Sequence, residues 1–434
     1  MREMKDSGIF DGVEIPATWD IMKFGKVCSI VTDFVASGSF ADLRENVPYL
    51  SEPDYAMLVR TTDLAKTARS EGKVYISKAS YEFLSNSNLF GGEIVLPNIG
   101  SIGDVYVVPK LYERMSLAPN SIMFKTRYCD KYYYYYFLCK VGGLQLSEIS
   151  QSTAMAKFNK TDLKQIRVFL PSLAEQQRIA EFLDRKCAEV DEMIGLQEQI
   201  IEELKAYKQS VITEAVTKGL NPNAPMRDSG IEWIGQIPEH WRVMQFRRLF
   251  EIKKTIANAL GYDVLSVTQG GLKVKDLSAN EGQIAQDYSK YQIVGKDDYV
   301  MNHMDLLTGF VDCSTQIGVT SPDYRVFQSI CKADISLSYF LRIFQTCYKL
   351  KIFYHLGQGV SGMGRWRLPT EQLKLFYLPV PPLIEQLDIA DYLDEKCADI
   401  DSLIQTKLSK IDSLKEYKKS IIYEYVTGKR EVTE

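Results

Sequence analysis

The chain has 434 residues and a net charge of −4, and it is too long for one hydrophobic core, which predicts two to four domains. Its 45% of hydrophobic residues is ample material to bury. No apolar run approaches the roughly 20 residues of a membrane span, and the start, MREMKDSGIFDGVEIP, is charged unlike a signal peptide, so we expect a cytoplasmic protein. Eight cysteines without a C-x-x-C motif and three distant histidines predict reduced, buried thiols and no metal site.

Charge is divided unevenly along the sequence. Residues 21–170 carry 18 Lys+Arg against 14 Asp+Glu, and residues 241–380 carry 17 against 12. Residues 171–220 carry 6 against 10, and residues 381–430 carry 8 against 10. The basic regions favour a polyanionic partner, and the acidic regions favour a basic or protein partner.

The first region, residues 1–170, predicts a mixed α/β domain. Short runs rich in Val, Ile and Tyr, such as GGEIVLPNIGSIGDVYVV and QIRVFL, indicate strands, with helical stretches between them. The block Tyr132–Tyr136 could stack on unpaired bases. A continuous block presents only some of its rings on one surface, so a buried helix or strand is the better prediction.

The second region, residues 171–220, predicts a long helix that is repeated in the fourth region, residues 381–434. At an offset of 210, residues 171–220 and 381–430 are identical at 23 of 50 positions. Their apolar residues step by four and three alternately, which is typical of a coiled coil. The predicted seam comprises Leu183, Val190, Ile194, Ile201, Leu204, Val211, Leu393, Ile400, Ile404, Ile411, Leu414 and Ile421. Polar residues interrupt it at Gln197/Lys407 and Lys208/Lys418.

The third region, residues 221–380, predicts a second mixed α/β domain that begins with its own repeat. MKDSGIFDGVEIPATWDIMKF from Met4 matches MRDSGIEWIGQIPEHWRVMQF from Met226 at an offset of 222. The linker KGLNPNAPMRDSG is too short to return along a helix of roughly 65 Å, so the helices should pair antiparallel. The predicted fold class is α+β: two mixed α/β domains joined by two long helices that form an antiparallel coiled coil, with a pseudo-twofold internal repeat.

The motifs of DNA-methylating and nucleotide-hydrolysing enzymes are missing from the sequence. It has no phosphate-cradling G-x-x-x-x-G-K-[ST] loop and no Asn/Asp-Pro-Pro-aromatic motif. Asp54, Glu71 and Lys73 have the residue types of a metal-dependent nuclease, but chance explains the pattern better. We therefore predict no catalytic residue, and keep a nuclease and a scaffold that binds only proteins as alternatives.

Candidate nucleic-acid-binding residues lie in both divergent domains. Arginine can read guanine bidentately, and lysine and arginine neutralise phosphate. Arg365-Trp366-Arg367 follows the flexible QGVSGMG stretch, and the equivalent place in the first domain is QSTAMAKFNK. The candidates are Arg365, Trp366, Arg367, Lys157 and Lys160, followed by Arg60, Asn98 and Ser101. A solvated basic loop is the alternative for each of them.

These motifs resemble the specificity subunits of Type I restriction-modification systems. The resemblance rests on the duplicated PxLxEQxxIAxxLDxK helix, the duplicated (R/K)DSGI…IPxxW segment and GVTSPDYRVF, and it spans the whole chain. It implies two target recognition domains, each reading one half of a split double-stranded DNA site, and helices that set the spacer. It also implies a non-catalytic chain that docks two methyltransferase subunits and restriction subunits, which carry S-adenosylmethionine, ATP and magnesium.

Overall fold

The computed structural model describes residues 2–65, 72–150, 156–275, 288–359 and 366–432. Its contacts divide the chain into two units. Unit 1 comprises Met1–Gln197 and Ser409–Glu434, and unit 2 comprises Glu198–Leu408. Each unit therefore holds one divergent domain together with the beginning of one long helix and the end of the other.

The domain of unit 1 mixes short strands with short helices. Its strands are β1 (Met4–Asp6), β2 (Glu14–Pro16), β3 (Asp20–Lys23), β4 (Cys28–Asp33), β5 (Ala56–Val59), β6 (Tyr75–Ile76), β7 (Asn88–Leu89), β8 (Ile94–Pro97), β9 (Tyr106–Val107), β10 (Met115–Leu117), β11 (Ser121–Thr126) and β12 (Arg167–Leu170). Its helices are α1 (Phe24–Val27), α2 (Phe40–Asn46), α3 (Thr61–Leu64), α4 (Lys78–Phe83), α5 (Asp130–Leu138), α6 (Lys140–Ile149) and α7 (Lys160–Gln165).

Two four-stranded sheets organise this domain. One has the order β4-β11-β8-β9 and is antiparallel throughout, and the other has the order β6-β5-β10-β7, in which only β10 and β5 are parallel. Two further pairs are two-stranded. β1-β2 joins strands within the first 16 residues, and β12-β3 ties the start of the chain to the segment that leads into the first long helix.

The domain of unit 2 keeps one sheet of this plan and changes the other. Its strands are β13 (Met226–Asp228), β14 (Gln236–Pro238), β15 (Arg242–Gln245), β16 (Phe250–Lys253), β17 (Leu265–Thr268), β18 (Gly271–Val274), β19 (Gln292–Val294), β20 (Tyr299–Met301), β21 (Val311–Cys313), β22 (Gly318–Thr320), β23 (Arg325–Ser329) and β24 (Tyr377–Val380). The sheet β16-β23-β20-β21 matches β4-β11-β8-β9 in order, whereas β17-β18 and β19-β22 form separate pairs. The pairs β13-β14 and β15-β24 match β1-β2 and β3-β12.

The long helices are α8 (Leu173–Lys218) and α13 (Leu383–Val426), and the shorter helices of unit 2 are α9 (Phe246–Leu249), α10 (Leu337–Lys349), α11 (Ile352–His355) and α12 (Thr370–Leu375). In unit 1, Leu183 near the start of α8 shares a hydrophobic core with Ile421 near the end of α13. In unit 2, Ile212 near the end of α8 shares a core with Leu393 near the start of α13. The predicted antiparallel pairing and the α+β fold are confirmed.

The repeated Glu-Gln of the helix motif attaches each domain to its long helix. In unit 1, Trp19 Nε1 donates to Glu175 Oε2 at 2.9 Å, and Gln176 joins the N–H of Cys129 to the carbonyl of Pro171. In unit 2, Trp241 Nε1 donates to Glu385 Oε2 at 2.8 Å. Gln386 joins the N–H of Ser336 to the carbonyl of Pro381, as Gln176 joins its partners in unit 1. Because these bonds satisfy buried polar groups at the same place in each unit, both copies of the helix motif need the same Glu-Gln pair.

The tyrosine block is helical and buried, as predicted. It forms α5, in which Tyr132, Tyr133, Tyr135 and Tyr136 are buried and Tyr134 is half-buried. The Tyr132 hydroxyl donates to the Val426 carbonyl at 3.1 Å, so the block packs its domain against the end of α13 and does not offer a stacking surface.

The eight cysteines are free thiols, but not all of them are buried. Five are buried, Cys129 and Cys313 are half-buried, and Cys331 is exposed. The prediction of uniformly buried cysteines is therefore wrong, because Cys331 lies on the surface between β23 and α10.

Candidate nucleic-acid interface

In unit 1, the structure brings together two loops that the sequence predicted separately. Phe158 N–H donates to the Asn98 carbonyl at 3.1 Å, and Asn98 Nδ2 donates to the Phe158 carbonyl at 2.9 Å. An isolated bridge joins Ile99 to Lys157. Lys157 is exposed beside this bridge, and Ser101 is exposed three residues after Asn98. Because the Asn98 amide is committed to the protein backbone, its nitrogen positions the loop, while the Lys157 ammonium remains available to a ligand.

Two other predicted residues of unit 1 are held by carboxylates. Lys160 Nζ pairs with Asp33 at 2.7 Å at the start of α7. Arg60 precedes α3 and binds both carboxylate oxygens of Asp63, which raises the pKa of the guanidinium. Arg60 directly follows β5 of the sheet β6-β5-β10-β7, and these bonds to Asp63 do not join it to the loops around Asn98.

The equivalent place in unit 2 contains the Trp366-Arg367 pair, whereas Arg365 lies outside the described residues. Arg367 pairs through its backbone with Gln358, and its side chain is exposed. Trp366 Nε1 donates to the Tyr354 carbonyl at 2.6 Å, and its ring packs on that of Tyr354 with centroids 5.4 Å apart. The indole therefore braces the segment, and Arg367 is its outward-facing member.

Two residues at this place in unit 2, His303 and Arg325, were not predicted from the sequence. His303 follows β20, and its carbonyl accepts the Leu368 N–H at 2.9 Å, as the Asn98 carbonyl accepts the Phe158 N–H. Arg325 opens β23, and its Nη2 donates to the Leu368 carbonyl at 3.2 Å and to Thr370 Oγ1 at 3.0 Å. Histidine and arginine are common in many surroundings, so no sequence pattern singled them out.

The two domains thus place different side chains on one scaffold. Arg325 pairs with Met301 across the sheet as Ile122 pairs with Leu96. Two residues later, Phe327 and Phe124 pack edge-on against the equivalent rings of Phe246 and Phe24. The equivalent pairs are therefore Asn98 and His303, Ile122 and Arg325, and Lys157 and Arg367.

The two equivalent places differ in charge, because unit 2 has two arginines, Arg325 and Arg367, where unit 1 has Ile122 and Lys157. Burial, followed by the charges of Arg325 and Arg367, lowers the pKa of His303 to about 4, so its ring is neutral at pH 7. Burial lowers the pKa of Arg325 to about 10, which still leaves the guanidinium charged at pH 7.

Neither the nuclease pattern nor a metal centre gains support from the described residues. In the parts of the chain that the structure describes, no group of three or more His, Cys, Asp or Glu side chains could hold a metal ion. Glu71, the central residue of the nuclease pattern, lies outside those parts. Among the described helices, none is long and apolar enough to cross a membrane.

The predicted seam of the long helices is apolar and partly buried along its length. Eight of its twelve residues are buried, and Ile194, Leu204, Val211 and Ile404 are half-buried. Two of the four polar interruptions, Lys208 and Lys418, pair with aspartates, one in each unit. Lys208 Nζ contacts Asp401 at 2.6 Å, and Lys418 Nζ contacts Asp191 at 2.7 Å.

Comparisons with known proteins agree with this duplicated architecture. The Type I restriction enzyme MjaVIII specificity subunit of Methanocaldococcus jannaschii is 24% identical over 443 residues, covering 96% of this chain and 94% of the relative. The Type I restriction enzyme EcoBI specificity subunit of Escherichia coli is 25% identical over 307 residues, covering 66% of this chain and 64% of the relative. The crystal structure of the HsdS subunit from Thermoanaerobacter tengcongensis has the same fold, with a TM-score of 0.53 at 13% identity over 97% of this chain and 99% of that chain.

A family description matches both halves of the sequence. It covers residues 16–206 and 238–413, and each match includes one divergent domain and part of the long helix that follows it. Since these ranges make up most of the 434 residues, the chain belongs to the family of the Type I restriction modification DNA specificity domain.

Proposed function

We propose that this chain is the sequence-reading subunit of a Type I restriction-modification complex, with one half of a split DNA site read by each divergent domain. The observation that carries the proposal is the equivalent place in the two units. The same backbone bond is accepted by the Asn98 carbonyl in unit 1 and by the His303 carbonyl in unit 2, but the side chains around it differ. A scaffold that is kept while its exposed side chains change is suited to reading two different half-sites.

The DNA contacts in this proposal come from the exposed cations and loop polar groups of each domain. Lys157, with Ser101 beside it, serves unit 1, and Arg367 serves unit 2. Arg365 and Trp366 immediately precede Arg367 in the sequence. Lys160, Asn98 and Arg60 take supporting positions, because their polar groups are bonded within the protein. The excess of basic residues in both domains supports a phosphate backbone as the partner.

The long helices supply the spacer and the docking surfaces for protein partners. In unit 1, Met193 and Tyr417 are 48% and 51% exposed next to the Lys418–Asp191 pair. In unit 2, Tyr207 and Leu403 are 51% and 50% exposed next to the Lys208–Asp401 pair. Because one such pair of exposed apolar side chains occurs in each unit at equivalent positions, the helices suit two copies of one partner, the methyltransferase subunit.

Catalysis in this proposal belongs to the partners. Methyltransferase subunits would bind S-adenosylmethionine and methylate adenine, and restriction subunits would bind ATP and magnesium. This chain would bind the DNA sequence at which those subunits act. A cytoplasmic location follows from that role.

The test is methylation mapping in cells that express the chain with its methyltransferase partner. We expect methylated adenines in one split sequence, with Lys157→Ala relaxing only the half-site read by unit 1 and Arg367→Ala relaxing only the other. Each variant serves as the matched control for the other. If the assembled complex neither binds DNA nor methylates a split site, the chain is a scaffold for proteins alone and the proposal is wrong.

A further inference from the structure

Arg325 occupies a position where the other domain has an apolar core residue. Its side chain lies at the start of β23 and the residue is only 6% exposed. Ile122, the equivalent residue of unit 1, is fully buried in the hydrophobic core. The scaffold therefore accepts an aliphatic side chain here, and the arginine of unit 2 is not required by the fold.

The guanidinium of Arg325 is only partly satisfied by the protein. Nη2 donates to the Leu368 carbonyl and to Thr370 Oγ1, but the buried Nη1 has no hydrogen-bond acceptor. No carboxylate of the described residues forms an ion pair with Arg325. An unpaired charge away from water is costly, so its retention calls for a compensating ligand.

The groups around Arg325 add positive charge and do not neutralise it. Arg367 is exposed on the strand segment next to Leu368, and among the described residues no acidic group pairs with it. His303 contributes a buried Nδ1 without a partner. The place therefore lacks both a negative charge and acceptor atoms, and an anion with several oxygens supplies both.

We propose that Arg325 and Arg367 form an anion site for one phosphate group, with Arg325 as the inner ligand and Arg367 as the outer one. A base edge offers acceptors without charge, whereas a phosphate offers acceptor oxygens and the missing negative charge, and guanidinium groups match its geometry. The source is the DNA backbone, an assignment that rests on the proposed function. Since Ile122 stands at the equivalent place in unit 1, only the half-site read by unit 2 gains this contact.

The test transplants the arrangement of unit 1 into unit 2. In the double variant His303→Asn/Arg325→Ile, the asparagine can donate to the Leu368 carbonyl as Asn98 does to Phe158, so the variant should fold. We expect an unchanged or higher melting temperature, because an unpaired buried charge has been removed. Arg342→Gln is the control, since it removes the same charge from α10, where the guanidinium already pairs with Asp394 at 2.6 Å.

Two measurements separate the anion site from the source of its ligand. Inorganic phosphate should raise the melting temperature of the wild-type chain and of the control, but not that of the double variant. In the complex with the methyltransferase partner, DNA affinity should fall by about tenfold. The slope of log K against log salt should also decrease, by up to about 0.9, the value for one lost phosphate contact, because the variant keeps Arg367.

Each outcome decides one part of the inference. Equal stabilisation of all three proteins by phosphate would overturn the anion site. A phosphate effect specific to Arg325, with an unchanged salt slope for a complex that still binds DNA, would show that free phosphate and not DNA is the ligand, and would overturn the DNA assignment. If the wild-type complex does not bind DNA at all, the result counts against the proposed function instead.

Discussion

Replacing Lys208 and Lys418 by leucine should make the protein more stable and its helix pairing less specific. Both lysines occupy seam positions, with side chains 21% and 25% exposed, and each binds an aspartate of the opposite helix. The bonded carboxylates are 58% and 39% exposed, so each ion pair contributes roughly 0.5 kcal/mol. A leucine buried to a similar extent contributes about 1.5 kcal/mol. The double variant should therefore gain about 2 kcal/mol in the free energy of unfolding.

The same replacement should make the alignment of α8 against α13 less well defined. An apolar seam tolerates a shift of one helix along the other, whereas a single polar pair in the seam favours one alignment. Guanidinium denaturation measures the stability, and the spacing between methylated adenines measures the alignment in the assembled complex. The control is Lys205→Leu/Lys415→Leu, which changes the equivalent exposed lysines outside the seam. A lysine-to-leucine seam variant that is less stable, or that keeps one sharp spacer length, would refute the reasoning.

Three further perturbations test the fold and the spacer. Burial alone would raise the pKa of Glu93, but Lys125 and nearby backbone N–H groups hold that pKa below its ordinary 4.5. The contribution of the Glu93 carboxylate to stability is therefore present above pH 4.5 and is lost as the pH falls. Glu93→Gln should remove this pH dependence from acid titrations of stability and lower the free energy of unfolding by about 2 kcal/mol at pH 7. Tyr339→Phe deletes the bond to the Val216 carbonyl at 3.1 Å and should lower the free energy of unfolding by about 1 kcal/mol in thermal melts. Seven residues inserted into both α8 and α13 keep the seam in phase and add about 10 Å, so methylation mapping should show a spacer about three base pairs longer, with both half-sites unchanged.

The repeats and the helix pairing could be predicted because their signals are local and occur twice. The first long helix was expected within residues 171–220 and extends over Leu173–Lys218. Its antiparallel partner followed from the shortness of the linker, which is a constraint on chain length alone. Burial of the tyrosine block was also predictable, since a continuous run of five aromatic residues presents only some of its rings on any one binding surface.

The anion site could not be predicted because its meaning depends on tertiary surroundings. Arg325 stands in GVTSPDYRVF as an ordinary residue before a strand, and only the structure shows that its guanidinium is buried without a carboxylate. The role of Trp366 was equally hidden. Sequence suggested an aromatic ring beside DNA, while the structure commits its N–H to the Tyr354 carbonyl. A side chain's availability is decided by neighbours far away in the sequence.

The distribution of repeated and divergent residues follows from what each must satisfy. Glu175 and Glu385 accept the indole N–H of equivalent buried tryptophans, so replacing either glutamate would leave a buried N–H unpaired in that unit. At the neighbouring loops, the backbone bond from the Phe158 N–H to the Asn98 carbonyl recurs in unit 2 between Leu368 and His303, so the side chains at these positions are freer to change. Arg325 in place of Ile122 is the clearest case, because its unmet hydrogen bond makes sense only with a ligand. The residues that attach each domain to its long helix are therefore identical in the two copies, whereas the proposed recognition sites share their backbone structure but not their side chains.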